Sequence, residues 1–184
     1  MKLFYAALIV PLALLTLIGS TSAAAIHPTY SSPIALSADN KLVWSVNPAD
    51  NSVSVIRTDI NKLIKNIKVG LEPQAVALSP NGNFAYVADA AGNDVTVVRI
   101  VKSDPKAFQA YVYRYITTGA EPWNIVVAPN GKYVFVANSG QDTITVIDAK
   151  TWGIIINVDL RNSICNDPDH NRHFQPRGLA VTQD

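Results

Sequence analysis

From residue 33 onward the chain is a succession of short apolar runs separated by tight-turn residues. The stretches from Ala75 to Ser79 and from Ile125 to Ala128 are apolar at nearly every position, which predicts strands covered on both faces. Each run leads into Pro-Asn-Gly, at 80–82 and at 129–131. Proline presets its own φ there, while Asn and Gly tolerate positive φ, so the chain should reverse into a second strand. Those second strands are Phe84 to Ala88 and Tyr133 to Ala137. A polar loop follows, and then a third strand with clean alternation: Val53 and Val55 against Ser52 and Ser54, Val95 and Val97 against Asp94 and Thr96, Ile144 and Val146 against Thr143 and Thr145. The alternation predicts one core face and one wetter face. A fourth segment, Lys62 to Val69, Tyr111 to Ile116 or Trp152 to Leu160, completes each unit.

Aligned on proline, four segments correspond: "SPIALSADNKLVWSVN" from Ser32, "EPQAVALSPNGNFAYVAD" from Glu72, "EPWNIVVAPNGKYVFVAN" from Glu121 and "QPRGLAVTQD" from Gln175. The anchoring residues Pro33, Pro73, Pro122 and Pro176 lie 40, 49 and 54 residues apart. Four strands per unit at this period describe β-propeller blades, so the fold class is all-β, a partial propeller. The blades are expected at about 33–70, 73–118 and 122–160, with the first strand of a fourth beginning at 176. Closed propellers use four to eight blades, so the sequence reads as a fragment cut inside its fourth blade.

The segments "YVAD" and "FVAN", followed by "NDVTVV" and "DTITVID", resemble the YVTN family of exported β-propeller repeats, and the resemblance covers nearly the whole chain after residue 25. It implies the fold rather than one activity, because similar propellers include surface-layer proteins, quinoprotein amine dehydrogenase subunits and lactonase-like enzymes. Unit one departs most, reading "SADN" from Ser37 and "WSVN" from Trp44.

Residues 1–25 have the grammar of a secretory signal peptide: Lys2, an apolar stretch from Leu3 to Ile18 broken by Pro11, and small residues ending in Ala23, Ala24 and Ala25. The apolar stretch is shorter than a bilayer span requires, so no membrane span is expected after cleavage. A periplasmic, secreted or cell-surface location follows. Composition is ordinary for a globular chain, at 48% hydrophobic and 16% charged residues. Loss of Lys2 with the leader leaves 14 basic against 14 acidic residues, which gives no electrostatic drive toward nucleic acid. The single cysteine, Cys165, cannot form a disulfide within the chain.

In a propeller the first strand of each blade lines the central channel. The loops entering those strands therefore place Glu72, Gln74, Glu121, Trp123, Asn124, Gln175 and Arg177 at the channel mouth, the candidate ligand-binding set. The competing structural role is that Glu72 and Glu121 bond to neighbouring blades while Trp123 packs. A longer loop at 161–178 holds Cys165, Asp167, Asp169, His170 and His173. His170 and His173 with the two aspartates are imidazole and carboxylate donors of the kind that hold zinc or calcium, although a loop imposes no common face on them. Asp89, Asn138 and Asp148 read as strand-end residues that bond to turns and loops. The alternating Tyr111, Tyr113 and Tyr115 suit a half-exposed outer strand.

The sequence contains no Cys-x-x-Cys-His, no Gly-x-Ser-x-Gly and no phosphate-binding glycine loop. The leading functional expectation is therefore an exported, non-catalytic binding module for a protein, small-molecule or carbohydrate ligand. The alternative is a piece of a periplasmic propeller enzyme, either a quinoprotein or haem-linked oxidoreductase or a lactonase-like hydrolase.

Overall fold

The computed structural model describes residues 33–161 and 173–182. The predicted leader at 1–25 lies outside the described residues, as do Cys165, Asp167, Asp169 and His170. Among the described residues no helix is long and apolar enough to cross a membrane.

Twelve strands form three four-stranded antiparallel sheets, each a simple meander. The first contains β1 (Ile34–Leu36), β2 (Leu42–Asn47), β3 (Ser52–Arg57) and β4 (Lys62–Lys68). The second contains β5 (Pro73–Leu78), β6 (Phe84–Asp89), β7 (Asp94–Lys102) and β8 (Gln109–Thr117). The third contains β9 (Pro122–Val127), β10 (Tyr133–Asn138), β11 (Thr143–Asp148) and β12 (Ile154–Asp159). The first strands β1, β5 and β9 pack side by side, as the blades of a partial β-propeller require.

Turn chemistry explains the meander. Gly82 and Gly131 sit at φ of 68° and 69°, and each donates its N–H to the residue three positions earlier. Asn81 and Asn130 accept from the backbone N–H two residues on. Unit one achieves the same reversal with different letters. Asn40 takes the left-handed position at φ 59°, and Asp39 Oδ1 accepts from Lys41 N–H. Its divergent sequence is chemically equivalent to Pro-Asn-Gly.

The core lies between sheets. One apolar layer joins Trp44, Val53 and Val55 of the first sheet to Val76, Ala85, Val87 and Val98 of the second. Another joins Ala75, Tyr86, Val95 and Val97 of the second to Ile125, Val127, Val134 and Ile147 of the third. Successive residues of β6 thus alternate between two buried layers, the period of two expected when both faces of a sheet are covered.

The expectation of a wetter face on the third strands is corrected here. Ser52, Thr96 and Thr145 have no exposed surface. They hydrogen-bond the polar residue that ends the second strand: Asn47 Nδ2 donates to Ser52 and Ser54 Oγ, Asn138 Nδ2 donates to Thr143 and Thr145 Oγ1, and Thr96 Oγ–H donates to Asp89 Oδ2. Asn138 and Asp89 are therefore buried inter-strand groups rather than loop caps. Asp148 does hold a turn, accepting from Lys150 and Thr151 N–H.

Aromatic side chains lock adjacent blades. Phe108, between β7 and β8, meets the Trp44 ring edge-on at 5.8 Å. Trp152, between β11 and β12, meets Phe84 at 5.0 Å and Tyr113 at 5.8 Å. In both cases the connection between a blade's third and fourth strands inserts a ring against the preceding blade. Beneath Trp44 and Phe108 a cleft of about 230 Å³ opens at the Pro-Asn-Gly end of the first two blades.

Candidate functional site

The opposite end of the sheets collects the starts of β5 and β9, the ends of β6 and β10, and the loops between second and third strands. The three described residues that precede an anchoring proline, Glu72, Glu121 and Gln175, all adopt left-handed backbone, at φ of 51°, 51° and 43°. Each donates its N–H to a side-chain oxygen of the preceding blade: Asn51 at 2.9 Å, Asn93 at 2.9 Å and Asp142 at 2.8 Å. Those three acceptors are also left-handed, and their carbonyls accept from Val69, Thr118 and Leu160 N–H. One residue per blade therefore ties the fourth strand to the next blade's entry. Glu72 and Glu121 fill the inter-blade role through their backbone, which leaves their side chains exposed.

The strand pairing then skips one residue. Pro73 registers with Asp89 and Ala75 with Ala88, just as Pro122 registers with Asn138 and Asn124 with Ala137. Gln74 and Trp123 are the bulged residues, and a bulge re-aims the side chain it carries. In the third blade three candidate residues come together. The Arg177 guanidinium lies 4.2 Å from the centre of the Trp123 ring, and Asn124 Nδ2 donates to the Arg177 carbonyl at 2.8 Å. Asn124 Oδ1 is buried and has no hydrogen-bond partner among the described residues. One blade earlier Gln74 stands at the position of Trp123, Ala75 at that of Asn124 and Glu72 at that of Glu121.

Asp142, which the sequence reading passed over, is a buried acidic group at this end. It is 2% exposed, and its Oδ1 accepts from both Phe174 and Gln175 N–H at 2.8 Å. Its Oδ2 lies 3.0 Å from His173 Nδ1. Burial alone would raise its pKa, but the Gln175 N–H, the His173 ring and the Phe174 N–H outweigh burial and hold it below the usual carboxylate range. An ionised Asp142 requires the hydrogen on Nδ1, so the neutral His173 ring presents Nε2 as a bare acceptor. The His173 side chain is 72% exposed. The only sequence signal for Asp142 is positional: it stands where the other two blades have Asn51 and Asn93.

His173 is the one metal candidate among the described residues, and its Nδ1 is engaged by Asp142 rather than by another candidate donor. No group of three or more His, Cys, Asp or Glu side chains suited to a metal occurs among the described residues.

A second carboxyl cluster sits deeper. Asp89 is fully buried beside Asp94, and its Oδ2 accepts from Thr96 N–H at 3.0 Å and Thr96 Oγ–H at 2.6 Å. Thr96 Oγ1 in turn accepts from Gly70 N–H. Burial, and then the neighbouring Asp94, raise the Asp89 carboxyl from 3.8 to about 8.

Residues 77–170, 94 of the 184, match the family described as lactonase, 7-bladed β-propeller. The chain belongs to this lactonase family. Solved structures similar to this lactonase-family chain include Kuenenia stuttgartiensis hydrazine synthase, at 28% identity and TM-score 0.61, with 67% of this chain and 34% of that one covered. A putative 6-phosphogluconolactonase from Bacteroides fragilis is 22% identical at TM-score 0.58, covering 68% and 38%. The periplasmic gluconolactonase of Pseudomonas aeruginosa is 21% identical at TM-score 0.55, covering 68% and 39%. The lactonase-family chain thus spans between about a third and two-fifths of the length of these structures. No curated protein matches it in sequence.

Proposed function

We propose that this chain is part of an exported, lactonase-type propeller enzyme whose polar end opens a sugar lactone by hydrolysis. Family membership is the observation that carries the proposal. It favours the hydrolase alternative over a binding module without chemistry. The residues at the channel mouth supply the chemistry such a substrate requires: the Trp123 ring under the Arg177 guanidinium, a buried Asn124 oxygen free to accept, and the exposed Glu72, Glu121 and Gln175 side chains. A polyhydroxylated ring stacks on an aromatic face and bonds to amide and carboxylate acceptors, while a guanidinium pairs with the carboxylate product. Periplasmic placement is supported by the leader grammar of residues 1–25 and by the similarity to a periplasmic gluconolactonase.

The test is acid release from glucono-δ-lactone in a pH-stat, with calorimetry of the lactone and the open gluconate alongside. Hydrolysis above the buffer rate, reduced by Trp123→Ala and Arg177→Ala, is the expected result. Binding of either compound without any acceleration would return the protein to the binding-module class.

A further inference from the structure

We propose that Asp142 and His173 form a general-base pair in which His173 Nε2 removes a proton from the water that attacks a lactone carbonyl. This rests on the lactonase reading above and assigns its chemistry to two residues.

The repeat itself singles the pair out. Three blades place a side-chain oxygen at one position to receive the next blade's entry N–H, and amide side chains suffice at two of them, Asn51 and Asn93. The third uses a carboxylate, whose Oδ1 alone holds both Phe174 and Gln175 N–H. That leaves its second oxygen, which an asparagine would replace by NH₂, directed at the His173 ring at 3.0 Å. A buried anion that fixes Nδ1–H while Nε2 faces solvent is the arrangement by which a carboxylate sets a histidine's tautomer and stabilises the imidazolium formed during catalysis. Asp142 is the positioning residue and His173 the base. Among the described residues, the Arg161 guanidinium, two residues beyond β12, is paired with Asp159 at 2.9 Å and feels the Asp142 charge. Arg177, four residues beyond His173 on the same segment, lies over Trp123.

The step balances without any added reagent. Water gives one proton to Nε2 as its oxygen bonds to the carbonyl carbon. The tetrahedral intermediate then collapses, breaking the ring C–O bond. The alkoxide leaving group takes the proton back from the imidazolium, which yields the open hydroxy acid and neutral His173.

The decisive variant is Asp142→Asn. It reproduces the side chain that serves at 51 and 93, so the Gln175 clamp and the fold should survive. Its NH₂ group, however, would face Nδ1 as a donor and force the hydrogen onto Nε2. Nitrogen-15 NMR of the imidazole should show a bare Nε2 in the native chain and a protonated Nε2 in Asp142→Asn. Lactone hydrolysis should fall by about 100-fold or more in Asp142→Asn and in His173→Gln, the range expected for a lost general base, with thermal stability unchanged. Full activity in Asp142→Asn, or an Nε2–H tautomer in the native chain, would overturn the pair while leaving the lactonase reading standing. A native chain with the expected tautomer but no hydrolysis of any lactone would overturn that reading, and the assigned reaction with it.

Discussion

Asp89 and Asp94 face each other as a registered pair across β6 and β7, and each leaves a buried carboxylate oxygen, Oδ1, with no other partner among the described residues. The corresponding pairs in the neighbouring blades are Asn47 with Ser52 and Asn138 with Thr143, and in both the amide donates to the hydroxyl. Two carboxylates have no hydrogen to offer each other unless one proton is retained. The folded blade therefore keeps a proton that the unfolded chain releases.

A pH dependence follows from that proton. Asp89 is raised from 3.8 to about 8, so between these values the folded state binds more protons than the unfolded state. Stability then falls as pH rises between these values and levels off above about pH 8. Asp89→Asn supplies a permanent donor to Asp94 and should flatten this slope and stabilise the blade at neutral pH. Urea midpoints at pH 5 and pH 8 for both proteins check the prediction; parallel pH responses would count against the shared proton.

The same pair shows where the sequence was legible and where it was not. Strand periodicity and turn letters are local, and they located the three sheets because each blade repeats the same local conflict between apolar runs and reversing turns. Whether a polar strand position meets water depends on what packs above it. Thr96 and Thr145 read as wet and are buried, because they share a strand face with Val98 and Ile147, which pack against the preceding blade. The anchoring prolines pointed to the channel-mouth residues, and Trp123, Asn124 and Arg177 do come together. Asp142 escaped because its partners at 173–175 lie more than thirty residues on, across a loop whose length no periodicity fixes. Only the exchange of Asn for Asp at the third clamp position marked it.

Close approach makes Gly70 irreplaceable in a measurable way. A Cβ there would lie 2.6 Å from Asp89 Cγ and Oδ2, and Asp89 is held by Thr96. Gly70→Ala should cost about 1–3 kcal/mol, the usual penalty of overpacking a tight site. Gly178→Ala, whose Cβ would meet nothing within 4 Å, is the control and should be close to neutral. Equal effects in thermal unfolding would disprove the steric account.

Trp152 joins the second and third blades, touching Phe84, Tyr86 and Tyr113 with Arg114 above its ring. Trp152→Ala should destabilise the protein by about 3 kcal/mol. Trp152→Phe should recover most of that loss, since Phe108 already plays the same part against Trp44. Chemical denaturation followed by circular dichroism distinguishes this from a merely local effect: a loose blade would unfold in a separate, earlier transition in the Ala variant.

The clamp between blades makes a complementary prediction at Asn93, whose Oδ1 receives Glu121 N–H and whose backbone is left-handed at φ 55°. Asn93→Gly keeps that backbone without strain and removes only the acceptor, so it should cost about 1–2 kcal/mol for the orphaned donor and the added chain entropy. Asn93→Asp should be nearly neutral in stability, because Asp142 holds Gln175 N–H with the same geometry one blade later. Hydrogen exchange at Glu121 N–H reads the contact directly: protection should be lost in the Gly variant and kept in the Asp variant. Loss in both would mean that the amide group itself, rather than an oxygen at that position, makes the clamp.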